Sequence, residues 1–393
     1  MIRPLAGVRV VELSSFVAAP TAGLTMRQLG AEVIRIDPVG GAADTTRWPL
    51  SDEGRSLYWA GLNRGKRSVE LDLTSPEGQA ALVDLVCAPG DGGGILVSNL
   101  FGKSWLSDQA LRARRSDLIH VQVLGRSDGA PAVDYVVNAA SGLPLATGPE
   151  QLAEPVNHVL PAWDLLCGMH AATAVLAALH RRREHGVGAH VTVSLEDVAA
   201  STLTTLGMLT EAHQTGVARP RVGNAVYGSF GADFTLADGT VAMVAAITGR
   251  QWRELLDVTG RADAVRAVES AVGADFGDEG DRFLHREVLV TLMRPWFAER
   301  TVEQVATVLD ATHILWSPFR RLTDLADDVA RGRSPVAQVR DEPGLGSNVV
   351  TGGPLRPRGE DDDEPAPPPP PAPVLGADTD AVLGSITTSG GAG

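Results

Sequence analysis

Cysteine is scarce in this sequence of 393 residues, which contains only Cys87 and Cys167. Two cysteines so far apart cannot form a zinc cluster or a disulfide framework, and a reducing cytoplasm fits this composition. No apolar run approaches the ~20 residues of a membrane span. The N-terminal residues lack the long apolar stretch of a signal peptide. We therefore expect a cytoplasmic protein without a membrane partner.

Basic residues are also outnumbered, because 34 lysines and arginines accompany 48 aspartates and glutamates, for a net charge of -14. Proteins that bind nucleic acid usually have a basic excess, so no nucleic-acid partner is expected. An acidic protein that binds an anion must concentrate its basic groups locally. The sequence has no GxGxxG or Walker loop, no Ser-His-Asp spacing and no metal-ligand cluster. No metal is therefore predicted.

The first part of the chain alternates between strand and helix patterns. Helices are predicted before Gly30 and over 75–87, with Ser75 as a candidate N-cap. The strand patterns cover residues 8–13, 32–38, 67–73, 93–100 and 117–125. This alternation predicts an α/β domain with a mostly parallel sheet. The strongest helix pattern follows at 164–186, then a strand at 189–195 and a helix at 196–212.

The pattern changes after residue 215. A hairpin is predicted at the Asp238-Gly239 turn, followed by helices around 249–258, 283–299 and 301–309. The predicted organisation is a large domain over 1–215, a smaller α+β domain over 225–325 and a return segment over 326–393. Residues 360–374 of that segment are acidic and proline-rich, which is typical of an exposed linker.

Asp164 lies in the apolar stretch "PAWDLLCG", where a carboxylate with few water partners is costly unless something stabilises it. Pro161 interrupts helical hydrogen bonding, so a helix is predicted to begin at or just after Asp164. The amides and dipole of a helix N-terminus stabilise an anion and predict a low pKa. A sheltered carboxylate can attack an activated acyl group, which makes Asp164 a candidate nucleophile. The alternative is that Asp164 is only an N-cap.

Several other stretches carry candidate binding residues. Arg64, Lys66 and Arg67 form a basic cluster that either holds phosphate groups or is a solvated turn. Small residues in "SSFVAAPTAG" let a ligand approach the backbone. Asp134 and Tyr135 follow a glycine-bounded loop and either line a site or begin a helix.

Three residues are candidates for contact with the acyl group. Asn157 and His158 lie close to Asp164 in sequence, although a lone histidine is more often structural. Arg47, in "DTTRWPL", provides a cation for a substrate carboxylate, or else belongs to a surface loop.

Taken together, these stretches resemble the class III CoA-transferase (CaiB/BaiF) family, which includes the α-methylacyl-CoA racemases. The match covers about residues 4–355 and rests on an ordered series: "PLAGVRVVELSSFVAAPTAGL", "NRGKRSVELDLTSPEGQAAL", "VSNLFG" and "PAWDLLCGMHAATAVLAALHRR". The resemblance implies a Rossmann-like large domain that binds CoA, a small domain and an interlocked homodimer. It places the family's nucleophilic aspartate at Asp164.

The resemblance also implies that CoA enters as part of an acyl-CoA substrate, with no permanently bound cofactor. The positions that it assigns to CoA binding, together with the basic cluster, are Val17, Ala18, Arg35, Arg64, Lys66, Arg67, Leu71, Leu73, Asn99, Leu100, Gly125, Arg126 and Asp134. Pro38 stands where many relatives carry an arginine near the CoA adenine, so recognition of the adenine or the 3′-phosphate must come from elsewhere, with Arg35 or the basic cluster as candidates.

Within the family, the likeness is strongest to the branch that moves CoA between the two carboxyl groups of mesaconate. It is carried by "FVAAPTAGLTMRQLGAEVIRIDPVGGAADTTRWPL", "VDYVVNAASGLPLATGP" and "RPRVGNAVYGSFGADF". The implied substrate is an acyl-CoA thioester of a small dicarboxylic acid, and the implied reaction is intramolecular CoA transfer. The alternatives are an intermolecular CoA-transferase for another short dicarboxylic acid, a racemase and a non-catalytic protein that binds acyl-CoA. Val133 stands where the racemases carry a catalytic histidine, which argues against α-proton exchange.

Overall fold

The computed structural model describes residues 3–355 and 370–389 of the chain, which form two compact units. The first unit comprises Met1–Ser141, His158–Gln214 and Ala326–Gly393, and the second comprises Gly142–Asn157 and Thr215–Leu325. The division differs from the predicted 1–215 domain in one stretch, because residues 142–157 belong to the second unit.

Arg221 explains why residues 142–157 belong to the second unit. Its buried guanidinium donates hydrogen bonds to the carbonyl oxygens of Thr147 and Glu154, the latter at 2.7 Å. Arg286 also pairs with Glu150 at 2.6 Å. These contacts join residues that are far apart in sequence, so local sequence patterns do not predict them.

A parallel sheet forms the centre of the first unit. Its strands are β1 (Arg9–Leu13), β2 (Glu32–Pro38), β3 (Arg67–Leu71), β4 (Ile95–Ser98), β5 (Ile119–Leu124) and β6 (Ala189–Ser194). They are ordered β3-β2-β1-β4-β5-β6, and all neighbours are parallel. β1, β2, β4 and β5 are buried almost throughout, as parallel strands covered on both faces are. The predicted α/β fold with a mostly parallel sheet is confirmed.

Helices connect these strands and build most of the second unit. In chain order they are α1 (Ala18–Gln28), α2 (Leu57–Asn63), α3 (Pro76–Cys87), α4 (Asp108–Arg112), α5 (Asp134–Ala140), α6 (Leu143–Ala146), α7 (Ala162–His185), α8 (Leu195–Thr205), α9 (Met208–Thr215), α10 (Gly249–Thr259), α11 (Ala262–Val272), α12 (Glu279–Leu284), α13 (Arg286–Ala298), α14 (Val302–Leu309), α15 (Leu322–Ala330) and α16 (Thr379–Ser389). Ser75 caps α3 as predicted, accepting a hydrogen bond from the Gly78 amide at 3.0 Å. The predicted helix at 196–212 is two helices, because Gly207 adopts a left-handed φ of 73° that ends α8.

The second unit contains an antiparallel sheet of β7 (Gly231–Thr235), β8 (Val241–Ala245) and β9 (Leu315–Pro318). Gly239 has a φ of 82°, and the predicted Asp238-Gly239 hairpin joins β7 to β8. Phe230, Phe234, Trp252 and Phe297 are buried in its core. The predicted α+β character of this region is confirmed, whereas α11, α15 and β9 were not predicted.

The return segment closes one edge of the parallel sheet. After the hairpin of β10 (Ala337–Glu342) and β11 (Gly346–Thr351), residues 376–379 pass along β3. Asp378 accepts a hydrogen bond from the Ser68 amide at 2.9 Å, and Thr379 accepts one from the Glu70 amide at 3.0 Å. Residues 360–369 of the predicted proline-rich linker lie outside the described residues.

Among the described residues, α7 alone is long and apolar enough to cross a membrane by length and composition. The core helix of a soluble protein passes the same test. This corrects the expectation that no apolar run reaches such a length. In the structure α7 packs along α1 and beside β5.

Candidate active site

The carboxyl ends of the parallel strands carry a group of residues that the sequence predicted to bind CoA. They follow or end β1 (Val17 and Ala18), β3 (Leu71 and Leu73), β4 (Asn99 and Leu100) and β5 (Gly125 and Arg126). Open parallel sheets bind ligands at this edge. The Asn99 side chain donates to the Ser15 carbonyl oxygen at 3.0 Å and so ties two of these loops together. The CoA-binding roles themselves stay predictions.

Asp164 is the third residue of α7, and Pro161 occupies the N-cap position. The alternative in which Asp164 is the N-cap is therefore wrong. The start of α7 lies close to α1 because Gly168 has no side chain: a Cβ there would lie 2.5 Å from the Ala18 carbonyl oxygen. This glycine allows the two helices to approach each other directly after the candidate nucleophile.

Asp134 caps α7 from a different helix. One oxygen of its buried carboxylate accepts hydrogen bonds from the Trp163 amide at 2.7 Å and the Asp164 amide at 3.1 Å. The other oxygen bonds to Nε2 of His158. In addition, the Trp163 indole donates to Asn138 at 3.1 Å. The structure therefore gives Asp134 a positioning role at the start of α7, where the sequence predicted CoA binding.

Burial, together with the nearby charge of Asp134, raises the pKa of Asp164 to about 7, and Arg47 opposes that rise. The predicted low pKa is wrong for a reason visible in the hydrogen bonds: the first amides of α7 donate to Asp134. Asp164 thus gains little from the helix N-terminus. A carboxylate of high pKa is more basic, and therefore more nucleophilic, than an ordinary aspartate.

Arg47 lies within cation–π distance of two aromatic rings that were not predicted to belong to the site. Its guanidinium carbon is 5.7 Å from the Phe16 ring centre and 5.2 Å from the Tyr58 ring centre. Burial raises the pKa of Tyr58 to about 12, with a further contribution from Asp164. Both rings could have been found from the sequence, because "SSFVAAP" and "SLYWAG" lie in or beside stretches that were predicted to bind the ligand. Asn157 is exposed and belongs to the second unit.

Two of the predicted phosphate-binding cations are buried in an ionic network. Arg35 bonds to Asp37 at 2.8 Å, to Asp44 at 3.3 Å and to Glu12 at 3.5 Å. Lys66 contacts Glu12 at 2.8 Å and donates to the Pro20 carbonyl oxygen at 2.9 Å. Because Arg35 is 0% exposed and Lys66 4%, the structure assigns both a structural role in place of the predicted phosphate contact.

The other basic residues fall into two groups. Arg64 pairs with Glu342 at 2.9 Å, and Arg67 pairs with Glu32 at 3.0 Å and with Asp378 at 3.3 Å, so both fix the return segment or β2. Arg126 is exposed and forms no ion pair with the described residues. Among the cations that the sequence assigned to CoA binding, Arg126 therefore remains available at the carboxyl edge. Within residues 3–355 and 370–389, no group of three or more His, Cys, Asp or Glu is placed to hold a metal.

The model of CoA-transferase family III matches residues 5–379. The chain belongs to CoA-transferase family III. It is 43% identical to the 2-methylfumaryl-CoA isomerase of Chloroflexus aurantiacus over 96% of this chain and 92% of that one. It is 27% identical to the succinyl-CoA:mesaconate CoA-transferase of Haloarcula hispanica over 89% of each chain. The resemblance drawn from the sequence is confirmed.

The fold is that of a CaiB/BaiF family protein from Brucella suis, which superposes with a TM-score of 0.78 over 98% of this chain and 100% of that chain at 22% identity. Members of CoA-transferase family III act on CoA thioesters, so CoA is part of the substrate. The protein is an enzyme of this family.

Proposed function

We propose that this CoA-transferase moves CoA between the two carboxyl groups of mesaconate, which is 2-methylfumarate. The observation that carries the proposal is the half-buried carboxylate of Asp164 at the start of α7, with a pKa of about 7. Such a group is ionised in a large fraction of molecules at neutral pH and retains high basicity. The likeness to the Chloroflexus isomerase over most of both chains supports this choice of substrate.

The proposed reaction proceeds through covalent intermediates on Asp164. Its carboxylate attacks the thioester carbonyl, CoA thiolate leaves, and a mixed anhydride forms. The thiolate attacks the aspartyl carbonyl, which gives an aspartyl-CoA thioester and releases mesaconate. The second carboxylate of mesaconate then attacks this thioester and expels the thiolate. Attack of the thiolate on the mesaconyl carbonyl of the new anhydride yields the isomeric thioester and frees Asp164.

Intermolecular transfer is the second candidate, and the Haloarcula relative, named as a transferase between succinyl-CoA and mesaconate, favours it. The two reactions share their intermediates and differ only in whether the free acid leaves. Isotopically labelled free mesaconate distinguishes them. Label in the product thioester would exclude a strictly internal transfer, and its absence at full turnover would exclude exchange with solution.

Mass spectrometry of the protein incubated with mesaconyl-CoA tests the nucleophile. Hydroxylamine or borohydride should trap a modification that maps to Asp164 in the wild type and is missing in Asp164→Asn. Asp197→Asn is the matched control, because Asp197 also lies in the first turn of a helix, α8, and is exposed. Absence of any adduct in the wild type, with acyl-CoA still bound, would overturn the covalent mechanism.

We also propose that two chains assemble into an interlocked homodimer in the cytoplasm. Exposed apolar side chains on α7, including Leu166 and Met169, support an assembly that covers them. The free thiols of Cys87 and Cys167 suit a reducing compartment. Light scattering of the purified protein tests the dimer, since a monomeric mass would contradict it.

A further inference from the structure

Arg47, like Arg126, forms no ion pair with the described residues, whereas the other predicted cations of the site do. Arg35, Arg64, Lys66 and Arg67 all pair with carboxylates. Among the described residues, the Arg47 guanidinium contacts two aromatic rings and forms no ion pair. Its hydrogen-bond donors are therefore left for a ligand, and the ligand they fit is a planar anion such as a carboxylate.

The backbone of Arg47 is fixed from the start of α2. The Ser56 hydroxyl donates to the Arg47 carbonyl oxygen at 2.5 Å, and the same hydroxyl accepts the Trp59 amide hydrogen bond at 3.0 Å as the N-cap of α2. Tyr58, the second residue of α2, provides one of the two rings. One short element thus holds both the main chain and the side chain of Arg47.

The second ring is fixed from the buried ionic network. Phe16 has a φ of 65°, a left-handed conformation that is costly for a bulky side chain. Its amide donates to Asp44 at 2.9 Å, and Asp44 is also bonded to Arg35. Asp44 in addition begins the turn that leads to Arg47, because its carbonyl oxygen accepts the Arg47 amide at 3.2 Å. Strain at Phe16 is maintained by a network that positions Arg47 as well.

We propose that Phe16 and Tyr58 clamp Arg47 as a preformed subsite for the free carboxylate of the acyl group, which selects CoA thioesters of dicarboxylic acids. This inference deepens the proposed function and rests on it for the identity of the acyl group. Arg47 is the substrate-binding residue, whereas Phe16 and Tyr58 are positioning residues. Contact with two rings restricts the rotation of the long side chain, so less conformational entropy is lost when the anion binds.

Binding of unreactive thioethers tests the clamp without requiring turnover. S-(3-carboxypropyl)-CoA carries a carboxylate, and S-(3-carbamoylpropyl)-CoA is its neutral isostere. Calorimetry on the full-length wild type should show tighter binding of the acid by about 10- to 100-fold, the range for a hydrogen bond to a charged group. Arg47→Gln should abolish this preference and leave the affinity for the amide within about threefold.

The rings are tested with paired variants. Tyr58→Leu removes the ring and should weaken the preference for the acid by about 3- to 10-fold, the scale of a cation–π contact. Tyr58→Phe keeps the ring and should retain the preference. Equal affinities for acid and amide in the wild type, or a preference that survives Arg47→Gln, would overturn the subsite. Loss of the preference in Tyr58→Phe would assign the effect to the hydroxyl and overturn the clamp.

The two proposals fail separately. Because thioethers cannot acylate the enzyme, the binding preference is measured even if Asp164 forms no adduct. An adduct at Asp164 together with equal affinities for acid and amide would leave the CoA-transfer mechanism standing and remove the carboxylate subsite.

Discussion

Two groups of buried or half-buried carboxylates lie in the first unit, and they differ in the cations around them. Glu12, Asp37 and Asp44 each contact Arg35, and Glu12 contacts Lys66 as well. Burial alone lowers the pKa of Arg35, but these three carboxylates raise it, so the cation is retained. At the start of α7 the neighbour of the carboxylate is another acid, and no cation forms an ion pair with Asp164 among the described residues. Asp134 adds negative charge beside Asp164, and burial raises the pKa of Asp164 to about 7.

The difference shows that burial by itself does not decide what an acidic side chain does. A carboxylate that contacts guanidinium and ammonium groups stabilises the structure only as part of that set. A carboxylate that lies near another acid and has no cation in ion-pair contact stays basic and can react. Both arrangements occur within one unit, and four substitutions probe the contrast.

Asp164→Asn should have the largest effect. Loss of the nucleophile should lower kcat/KM by at least about 10⁴-fold. Stability should move in the opposite direction: the folded-state pKa of about 7 lies above the unfolded value, so the wild type loses stability as pH rises from about 4 to 7. The variant avoids this loss and should be more stable at pH 8, by on the order of 2 kcal/mol. Equal urea midpoints at pH 8 would contradict the argument.

Arg35→Leu should leave Glu12 paired with Lys66 and leave Asp37 and Asp44 without an ion pair among the described residues, as Asp164 is. Breaking a buried ionic set by removing one member costs about 3–5 kcal/mol, and we expect that loss in urea unfolding. Arg250→Leu is the control, because Arg250 forms an exposed i,i+4 pair with Glu254. A loss no larger than that of the control would show that the network is dispensable.

Gly23→Ala tests how closely the network is packed. A Cβ at Gly23 would lie 1.6 Å from Oε2 of Glu12, so the carboxylate would have to move. We expect a destabilisation of about 1–3 kcal/mol in thermal unfolding. In contrast, Gly61 in α2 has open space around it, and Gly61→Ala should stabilise by up to about 1 kcal/mol. Equal behaviour of the two variants would argue against tight packing at Glu12.

The smallest effect is expected in how kcat/KM depends on pH through Asp164 and its neighbour Asp134. Because Asp164 must be ionised to attack, kcat/KM should rise about tenfold per pH unit below 7 and level off above it. Asp134→Asn removes a neighbouring negative charge, so the inflection should move to lower pH. An inflection that stays in place would mean that burial alone sets the pKa of Asp164.

Local patterns predicted the strands well because parallel strands buried on both faces are continuous apolar runs. β2 was predicted at its observed bounds, and the predicted start of α7 was two residues late. The pattern also located Asp164, since a carboxylate between Trp163 and Leu165 is conspicuous in the sequence.

Partnerships between distant residues were not predictable in the same way. The sequence shows that Arg35 and Lys66 are cations, but it does not show that Glu12 lies 54 positions from Lys66 and in contact with it. The sequence shows that Pro161 lies shortly before Asp164. It does not show that Asp134 accepts the hydrogen bonds of the first amides of α7. The sign of a pKa shift depends on such partners, which explains why the position of Asp164 was predicted and its acidity was not.

The closure of β3 by residues 376–379 has a consequence for how the chain matures. The amides of Ser68 and Glu70 donate to Asp378 and Thr379, which lie more than 300 residues later in the sequence. During synthesis from the N-terminus, the parallel sheet therefore exposes an open edge until almost the whole chain has emerged. An open edge is a template for pairing with another strand. The return segment covers this edge late in synthesis. The nascent chain is therefore most prone to misassociation just before residues 376–379 pair with β3.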